Sequence, residues 1–411
     1  MAGGGLVTDR RDLRSFHPFA RLNGLLDGIP AGRSGIGIAG LDAGAPVMLS
    51  LGEPQNQPPA FVAEELARAA ADWSRYPPPR GTSAYAEACL AWLTRRYGLP
   101  TGMIDARRMF LPLAGTREGL FFAALATTPA ETEPTEKPII LMPNPFYHVY
   151  AGAATAAGAE VIYIPATRES GFLPDYGALS PDILARTTLC YTCSPSNPQG
   201  AVASLAQLRD LIALARRYDF TIAFDECYAE IYTGVPPPGA IEAAAGLGGT
   251  LDNMLVFHSL SKRSSAPGLR CGFVVGDPRQ IRAIEGLLRV GGAGVPLPTL
   301  AAGTRLWREE DHVQANRARY QANFAVAERI LGNRFDFRKP AGGFFLWLDV
   351  GDGESATLTL WREAGIKVLP GAYMCSDGAG GGNPGASYVR IALVYDAELT
   401  EAALARICEI L

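Results

Sequence analysis

The stretch "HSLSKRSSAPGLRCG", residues 258–272, decides how the fold of the whole chain is interpreted. It places Lys262 among hydroxyl groups and small residues directly after an apolar run, and Arg270 follows eight positions later. A short stretch rich in serine, lysine and arginine is usually a polar surface loop. The same groups would also suit a lysine that forms an imine with an aldehyde whose phosphate is held by the hydroxyls and the arginine. The flanking sequence has to distinguish the two.

The composition is that of an ordinary soluble protein with a large core. The chain has 411 residues, of which 48% are hydrophobic and 19% charged, and a formal net charge of −4. This length suits two domains. We expect no nucleic-acid partner, because no basic cluster stands out, and no membrane span, because no apolar run reaches about 18 residues. No apolar stretch follows the first charges, so no secretory signal is predicted.

The seven cysteines suggest reduced thiols and a cytoplasmic protein, since they are odd in number and scattered. Cys190 and Cys193 form a CxxC pair inside "TTLCYTC", which is typical of a buried strand. Strand positions three apart point to opposite faces, so we predict no metal site there. The four histidines also weaken a metal-enzyme interpretation.

Short β-branched runs alternate with helical patterns through the middle of the chain. Such alternation indicates parallel strands joined by crossover helices, and continuous rather than alternating hydrophobicity indicates a sheet covered on both faces. Loops are predicted at residues 127–138 and 376–387. We predict an N-terminal arm with part of a small domain (1–70), a large domain (71–305) and a small C-terminal α/β domain (306–411). The runs are "RMFLPL", "KPIILMP", "VIYIPA", "TTLCYTC", "FTIAFDE", "NMLVFHSL" and "RCGFVVGD".

Polar or aromatic segments follow five of these runs, at the strand ends where such folds bind ligands. They are "AGTREG", "NPFYHVY", "SPSNPQG", "DECYAEIY" and "SKRSSAPGLR". Each alone has an ordinary explanation: "NPQG" is a common turn, an aspartate after a strand is often a helix N-cap, and aromatics are often core. "AGTREG" would also point backbone N–H groups at an anion. Their ordered combination is more informative than any one of them.

The combination supplies the groups that pyridoxal phosphate chemistry requires. Lys262 offers the amine for a Schiff base, and Asp225 a carboxylate to keep the pyridine nitrogen protonated. Tyr228 and Asn197 can donate to the phenolic oxygen, and Tyr147 can lie against the ring. Arg390 can grip a substrate α-carboxylate with two parallel hydrogen bonds. The phosphate would be held by Gly115, Thr116, Ser259 and Arg270.

The chain resembles the fold-type I pyridoxal phosphate enzymes, specifically the class I/II aminotransferases, over nearly its whole length. The resemblance implies a large domain with a mostly parallel seven-stranded sheet covered by helices, plus a smaller α/β domain. The matching marks, in order, are "LGEP" (51–54), "YPPPRG" (76–81), "AGTREG" (114–119), "NPFYHVY" (144–150), "NPQG" (197–200), "DECY" (225–228), "SLSK" to "GLR" (259–270) and "YVRIAL" (388–393).

The resemblance also implies the site and the assembly. Lys262, Asp225 and Tyr228 are the predicted catalytic residues, and Gly52, Asn197 and Arg390 the predicted substrate contacts. No metal is expected. The protein is expected to be a homodimer with shared active sites, in which Tyr76 reaches the phosphate of the neighbouring subunit's cofactor. The predicted cofactor-binding set is Gly115, Thr116, Arg117, Tyr147, Asn197, Asp225, Tyr228, Ser259, Ser261, Lys262, Arg270 and Tyr76.

Longer blocks look like bacterial succinyldiaminopimelate aminotransferases, among them "FHPFARLNGLL", "PNPFYHVYAGAATAAGAE" and "VFHSLSKRSSAPGLRCGFVVGD". That family transfers an amino group between glutamate and N-succinyl-2-amino-6-oxopimelate in lysine and diaminopimelate synthesis. An aminotransferase for aromatic, alanine or aspartate substrates, a β-lyase and a decarboxylase stay open on the same motifs. A non-catalytic regulator is disfavoured by the presence of Lys262. A dehydrogenase is disfavoured because no G-x-G-x-x-G follows a strand near the N-terminus.

Overall fold

The computed structural model describes residues 17–37, 42, 44–129, 137–378 and 382–411. The N-terminal stretch 1–16 lies outside these residues, as do parts of both predicted loops. The strands are β1 (Val47–Met48), β2 (Phe110–Leu113), β3 (Ile139–Asn144), β4 (Glu160–Pro165), β5 (Thr187–Cys193), β6 (Thr221–Asp225), β7 (Met254–Ser259), β8 (Gly272–Gly276), β9 (Phe345–Asp349), β10 (Ile366–Lys367), β11 (Leu369–Pro370) and β12 (Tyr388–Ala392).

The α-helices include two short ones, α4 and α10, of four residues each. They are α1 (Pro18–Leu26), α2 (Phe61–Arg68), α3 (Ser83–Tyr97), α4 (Ala106–Met109), α5 (Thr116–Thr127), α6 (His148–Ala156), α7 (Pro181–Arg186), α8 (Leu205–Tyr218), α9 (Ala240–Ala245), α10 (Leu260–Arg263), α11 (Pro278–Gly291), α12 (Leu297–Arg308), α13 (Asp311–Leu331), α14 (Gly353–Ala364) and α15 (Ala397–Ile410).

The central sheet has seven strands among the described residues, in the order β2-β8-β7-β6-β5-β3-β4. Strands β3 to β7 run parallel to one another, whereas β8 is antiparallel to both β7 and β2. The connection from Ser259 to Gly272 holds only α10 and one 3-10 turn, so it returns the chain beside β7 instead of crossing over. The predicted fold, a mostly parallel seven-stranded sheet, is confirmed.

Helices cover both faces of this sheet, which explains the unbroken apolar runs. Helices α3, α8, α9 and α12 pack on one face, and α5, α6 and α11 on the other. Alternate residues of β3 serve the two layers: Ile139 and Leu141 join the first core, and Ile140 and Met142 the second. The parallel strands therefore end together at one edge, where their polar continuations meet.

A third core lies around the three-stranded sheet β11-β12-β9 and the parallel pair β1-β10. Strand β1 comes from the N-terminal segment and pairs with β10 through Val47 and Ile366. The carboxyl-terminal half of α13 packs there beside α14 and α15. The exact domain boundaries at residues 70 and 305 stay predictions.

Within the described ranges, no helix is both long and apolar enough to cross a membrane. The same ranges hold no cluster of three or more histidine, cysteine or acidic side chains that could bind a metal ion. All seven cysteines are free thiols, and Cys190 and Cys193 are both buried.

Candidate active site

A cavity of about 460 Å³ opens where the strand ends of the large sheet face strand β12. Its size lies within the usual range for small-molecule sites. It is lined by every predicted site residue except Gly115 and Tyr76. Those lining residues are Gly52, Thr116, Arg117, Tyr147, Asn197, Asp225, Tyr228, Ser259, Ser261, Lys262, Arg270 and Arg390.

Lys262 lies on α10, a short helix whose N-cap Ser259 accepts a hydrogen bond from the Ser261 N–H at 3.1 Å. Its amine donates to the Gly52 carbonyl and lies 5.2 Å from the centroid of the Phe344 ring. Burial lowers the pKa of Lys262 to about 8. A larger share of the Lys262 amines is therefore uncharged near neutral pH than for a lysine in water.

Asp225 ends β6 and is almost fully buried. The Tyr150 hydroxyl donates to its Oδ2 at 2.8 Å, and the Cys227 N–H donates to Oδ1 at 3.3 Å. Burial raises the pKa of this carboxyl above its usual value. A cation placed against Asp225, such as a protonated pyridine nitrogen, would stabilise the buried carboxylate in its charged form.

A tight turn before α5 forms an anion cradle with Arg270. Gly115 has φ +82°, and a Cβ there would lie 2.0 Å from Nη2 of Arg270, so only glycine fits. Arg270 itself is held by the carbonyls of Pro267 and Ala114, at 2.9 and 3.2 Å. The buried Thr116 starts the twelve-residue helix α5, whose first N–H groups attract an anion. This donor set fits the phosphate of the predicted cofactor.

Arg390 lies on β12, with only 4% of its surface exposed. Its Nη1 donates to Asn197 Oδ1 at 3.0 Å and its Nη2 to the Ser50 carbonyl at 2.6 Å, while Nε has no partner. Burial lowers the pKa of Arg390 to about 10. No carboxylate of the described residues pairs with this buried cation. A bound anion would therefore compensate its charge and lower the cost of its burial.

The remaining predicted residues form the walls of the cavity. Tyr228 is buried, packs edge-on against Phe344 at 5.3 Å, and has its pKa raised well above the usual value by burial. The Arg117 Nε donates to the Tyr147 hydroxyl at 2.9 Å. Arg117 is exposed and makes no ion pair with a carboxylate of the described chain.

The structure adds cavity residues that the sequence reasoning missed. His148 lines the cavity, and burial lowers its pKa to about 3, with His17 and Arg117 adding to the effect, so it is neutral. Tyr150, which donates a hydrogen bond to Asp225, lies one helical turn after Tyr147 in "NPFYHVY". That spacing puts both tyrosines on the same helix face, which could have identified Tyr150 as a site residue. Phe19 comes from α1, and nothing in its local sequence marked it as a cavity residue.

Tyr76 is not part of the cavity of its own chain. Its side chain is 99% exposed, and the nearby Trp73 is 57% exposed. Its role at a neighbouring subunit stays a prediction.

Comparison with known proteins adds a family. The family model "Aminotransferase class I and II" matches residues 46–411. The 4-dedimethylamino-4-oxo-anhydrotetracycline transaminase OxyQ of Streptomyces rimosus is 34% identical, covering 88% of this chain and 92% of that protein. The LL-diaminopimelate aminotransferase of Dehalococcoides mccartyi is 29% identical, covering 88% and 90%.

Solved structures of similar proteins match along nearly the whole chain. An aminotransferase from Neisseria meningitidis superposes with a TM-score of 0.87 at 37% identity, covering 95% of this chain and 96% of that one. A probable N-succinyldiaminopimelate aminotransferase from Thermus thermophilus gives 0.79 at 25% identity, covering 96% and 100%.

Proposed function

Since the chain belongs to the class I and II aminotransferases, we propose that it transfers the amino group of L-glutamate to N-succinyl-2-amino-6-oxopimelate. Enzymes of this class use pyridoxal phosphate, and the fold is their fold type I. The observation that carries the proposal is Arg390, a buried guanidinium without a carboxylate partner in the described chain. It lies in the same cavity as the Lys262 amine, whose pKa is lowered to about 8.

The chain's residues fit the cofactor, and we propose the following division of work. Pyridoxal phosphate, when bound, supplies an electron sink for the carbon that loses its proton. Asp225 holds the ring nitrogen protonated, and the hydroxyl of Tyr150 keeps that carboxylate in place. The cradle of Gly115 and Arg270 holds the phosphate.

Lys262 and Arg390 act on the substrate itself. Arg390 binds the α-carboxylate through its guanidinium edge and thereby orients the α-carbon. The Lys262 amine would remove the substrate's α-proton as a base and would then donate that proton as an acid. Its lowered pKa makes both steps possible near neutral pH. Without such burial, a lysine would stay protonated and could not act as a base.

Two observations support the proposed acceptor. The blocks around Lys262 look like succinyldiaminopimelate aminotransferases, and the Thermus thermophilus neighbour bears that name. The acceptor carries further carboxylates away from its reacting carbon, and Arg117 offers a second cation at the cavity wall. The alternative is an aminotransferase for another amino acid of aromatic, alanine or aspartate type. The two curated relatives are named for LL-diaminopimelate and for a tetracycline precursor.

We also propose a cytoplasmic homodimer with shared active sites. The exposed Tyr76 and Trp73 support an interface beside "YPPPRG", because large exposed aromatic side chains favour contact with another surface. The unpaired state of all seven cysteines supports a reducing compartment.

The test compares acceptors under identical conditions. Protein loaded with pyridoxal phosphate is given glutamate and either N-succinyl-2-amino-6-oxopimelate or one of a panel comprising pyruvate, oxaloacetate and aromatic 2-oxo acids. LL-diaminopimelate is tested as donor with 2-oxoglutarate. We expect kcat/KM for the succinylated acceptor to exceed every other by about tenfold, a difference of about 1.4 kcal/mol. A panel compound that is turned over faster would replace the proposed acceptor, and Lys262→Ala serves as the inactive control.

A further inference from the structure

Helix α13 contacts both halves of the proposed active site through two buried asparagines. We propose that Asn316 and Asn323 are positioning residues, which fix the Lys262 turn and the Arg390 strand relative to each other. The inference rests on the proposed function, because it takes Lys262 and Arg390 to be the groups that act on the substrate.

Asn316 caps the helix that carries Lys262. Its side-chain amide donates to the carbonyls of Lys262 and Arg263, at 2.9 and 3.2 Å. These are among the last carbonyls of α10, which have no partner within the helix. Its Oδ1 accepts from the Ser265 hydroxyl at 2.9 Å, at a residue whose φ is +48°. One buried side chain thus satisfies three groups of the turn just after the reactive lysine.

Asn323 holds the exit of the strand that carries Arg390. Its side-chain amide donates to the carbonyls of Leu393 and Tyr395, at 3.0 and 2.8 Å. Leu393 follows β12 directly and Tyr395 comes two residues later, so the two carbonyls lie three and five residues beyond Arg390. Asn323 is 2% exposed, so the loss of its amide would leave both carbonyls without this buried donor.

The two asparagines lie seven residues apart, which is about two helical turns and about 10 Å along α13. They therefore share one face of a single rigid helix. The helix is separately tied to the large sheet unit by Arg317, which donates to the Glu230 carboxylate at 2.6 Å and to the Glu230 carbonyl at 3.0 Å. The spacing of these amides thus sets the separation of Lys262 from Arg390.

This arrangement predicts two separable kinetic effects. Asn316 acts on the proton transfer at Lys262, so its loss should reduce kcat. Asn323 acts on the grip of the substrate carboxylate by Arg390, so its loss should raise KM. A merely structural role would change both constants together and would follow the melting temperature.

The experiment measures Asn316→Ala, Asn323→Ala and the control Gln321→Ala, each loaded with pyridoxal phosphate. Gln321 suits the control because it is also a side-chain amide of α13 that donates to a backbone carbonyl, but away from both Lys262 and Arg390. The readouts are kcat and KM for glutamate, the melting temperature, and the pH midpoint of the cofactor's visible absorbance change without substrate.

We expect Asn316→Ala to lower kcat by about tenfold to a hundredfold, the usual cost of misplacing a reacting group by about 1 Å. KM should stay within about threefold, and the pH midpoint should move by about half a unit or more, because that midpoint depends on the surroundings of Lys262. Asn323→Ala should raise KM for glutamate by about tenfold and leave the pH midpoint unchanged. Gln321→Ala should change neither.

Equal changes in kcat and KM for both asparagine variants, or effects no larger than those of Gln321→Ala, would overturn the proposal. If Asn316→Ala does not fold, Asn316→Ser takes its place; its hydroxyl is uncharged and too short to replace both N–H donors to Lys262 and Arg263, so the same fall in kcat is expected. Wild-type protein that binds the cofactor but does not transaminate would contradict the proposed function. The substrate-free pH midpoint tests the positioning separately.

Discussion

Replacing Lys262 with methionine should stabilise the cofactor-free protein at pH 7. Burial lowers the pKa of Lys262 from 10.5 to about 8. Below pH 8 the folded protein therefore holds a charged amine in an unfavourable environment, which reduces the free energy of unfolding. Each pKa unit corresponds to about 1.36 kcal/mol, so a difference of about 2.5 units amounts to about 3 kcal/mol. Methionine has a similar length and no charge, and it removes this cost.

The sign of the effect fixes its pH dependence. Between pH 8 and 10.5 the unfolded chain holds the lysine proton more tightly than the folded chain, so wild-type stability rises with pH across this window. The advantage of Lys262→Met should therefore fall from about 3 kcal/mol at pH 7 to about 1 kcal/mol at pH 9.5, because pH 9.5 lies only about one pH unit below the pKa of the unfolded lysine.

Urea unfolding of the cofactor-free proteins, followed by tryptophan fluorescence at equal chain concentration, measures the difference at the two pH values. Lys339→Met is the matched control: this lysine lies at the surface with 39% of its side chain exposed and pairs with the exposed Glu328 at 2.9 Å, so its loss should change stability by no more than about 0.5 kcal/mol. An advantage of Lys262→Met that is absent at pH 7, or equal at both pH values, would refute the argument from burial.

Three further changes test other parts of the site. Arg390→Lys should mainly weaken the binding of glutamate and of the oxo substrate, because lysine cannot form two parallel bonds to a carboxylate; unchanged KM values for both would exclude that role. Gly115→Ala should weaken retention of pyridoxal phosphate in dialysis by at least about tenfold, because the added Cβ would lie 2.0 Å from Arg270 at a positive φ; full retention would disprove the cradle. Mixing Lys262→Ala with Tyr76→Ala chains should restore activity towards half the wild-type value per heterodimer if Tyr76 serves the neighbouring subunit, since one of two symmetry-related sites is then intact; confirmed subunit exchange without recovery would contradict the shared site.

Local patterns predicted most of the frame of the site. Strand runs such as "FTIAFD" and "NMLVFHS" are continuous because both faces of the sheet are covered, and the chemical groups follow each run directly. Asp225 and Lys262 could be assigned because each has a reactive or charged side chain and each lies at, or just after, the end of a recognisable strand. The antiparallel direction of β8 was not visible, because it depends on the three-dimensional path of a short connection.

The long-range partners could not be found in this way. Tyr150 reaches Asp225 across 75 positions, and Asn197 reaches Arg390 across 193. Asn316 and Asn323 lie in a stretch whose many charges suggest an exposed helix, yet both are buried. An asparagine in a polar helix looks the same in sequence whether its amide faces water or two backbone carbonyls.

The two groups proposed to act on the substrate are both held by main-chain carbonyls of one short segment: Lys262 by Gly52 and Arg390 by Ser50. A backbone carbonyl is present whatever side chain its residue carries. Most substitutions in that segment should therefore leave these two hydrogen bonds in place. We therefore expect variants that reshape the cavity at His148 or Phe172 to change the accepted substrates while these main-chain contacts persist. Gly52 is the exception, because any Cβ there would lie 2.6 Å from the Phe345 ring. We therefore expect this position to tolerate no side chain during divergence of the family.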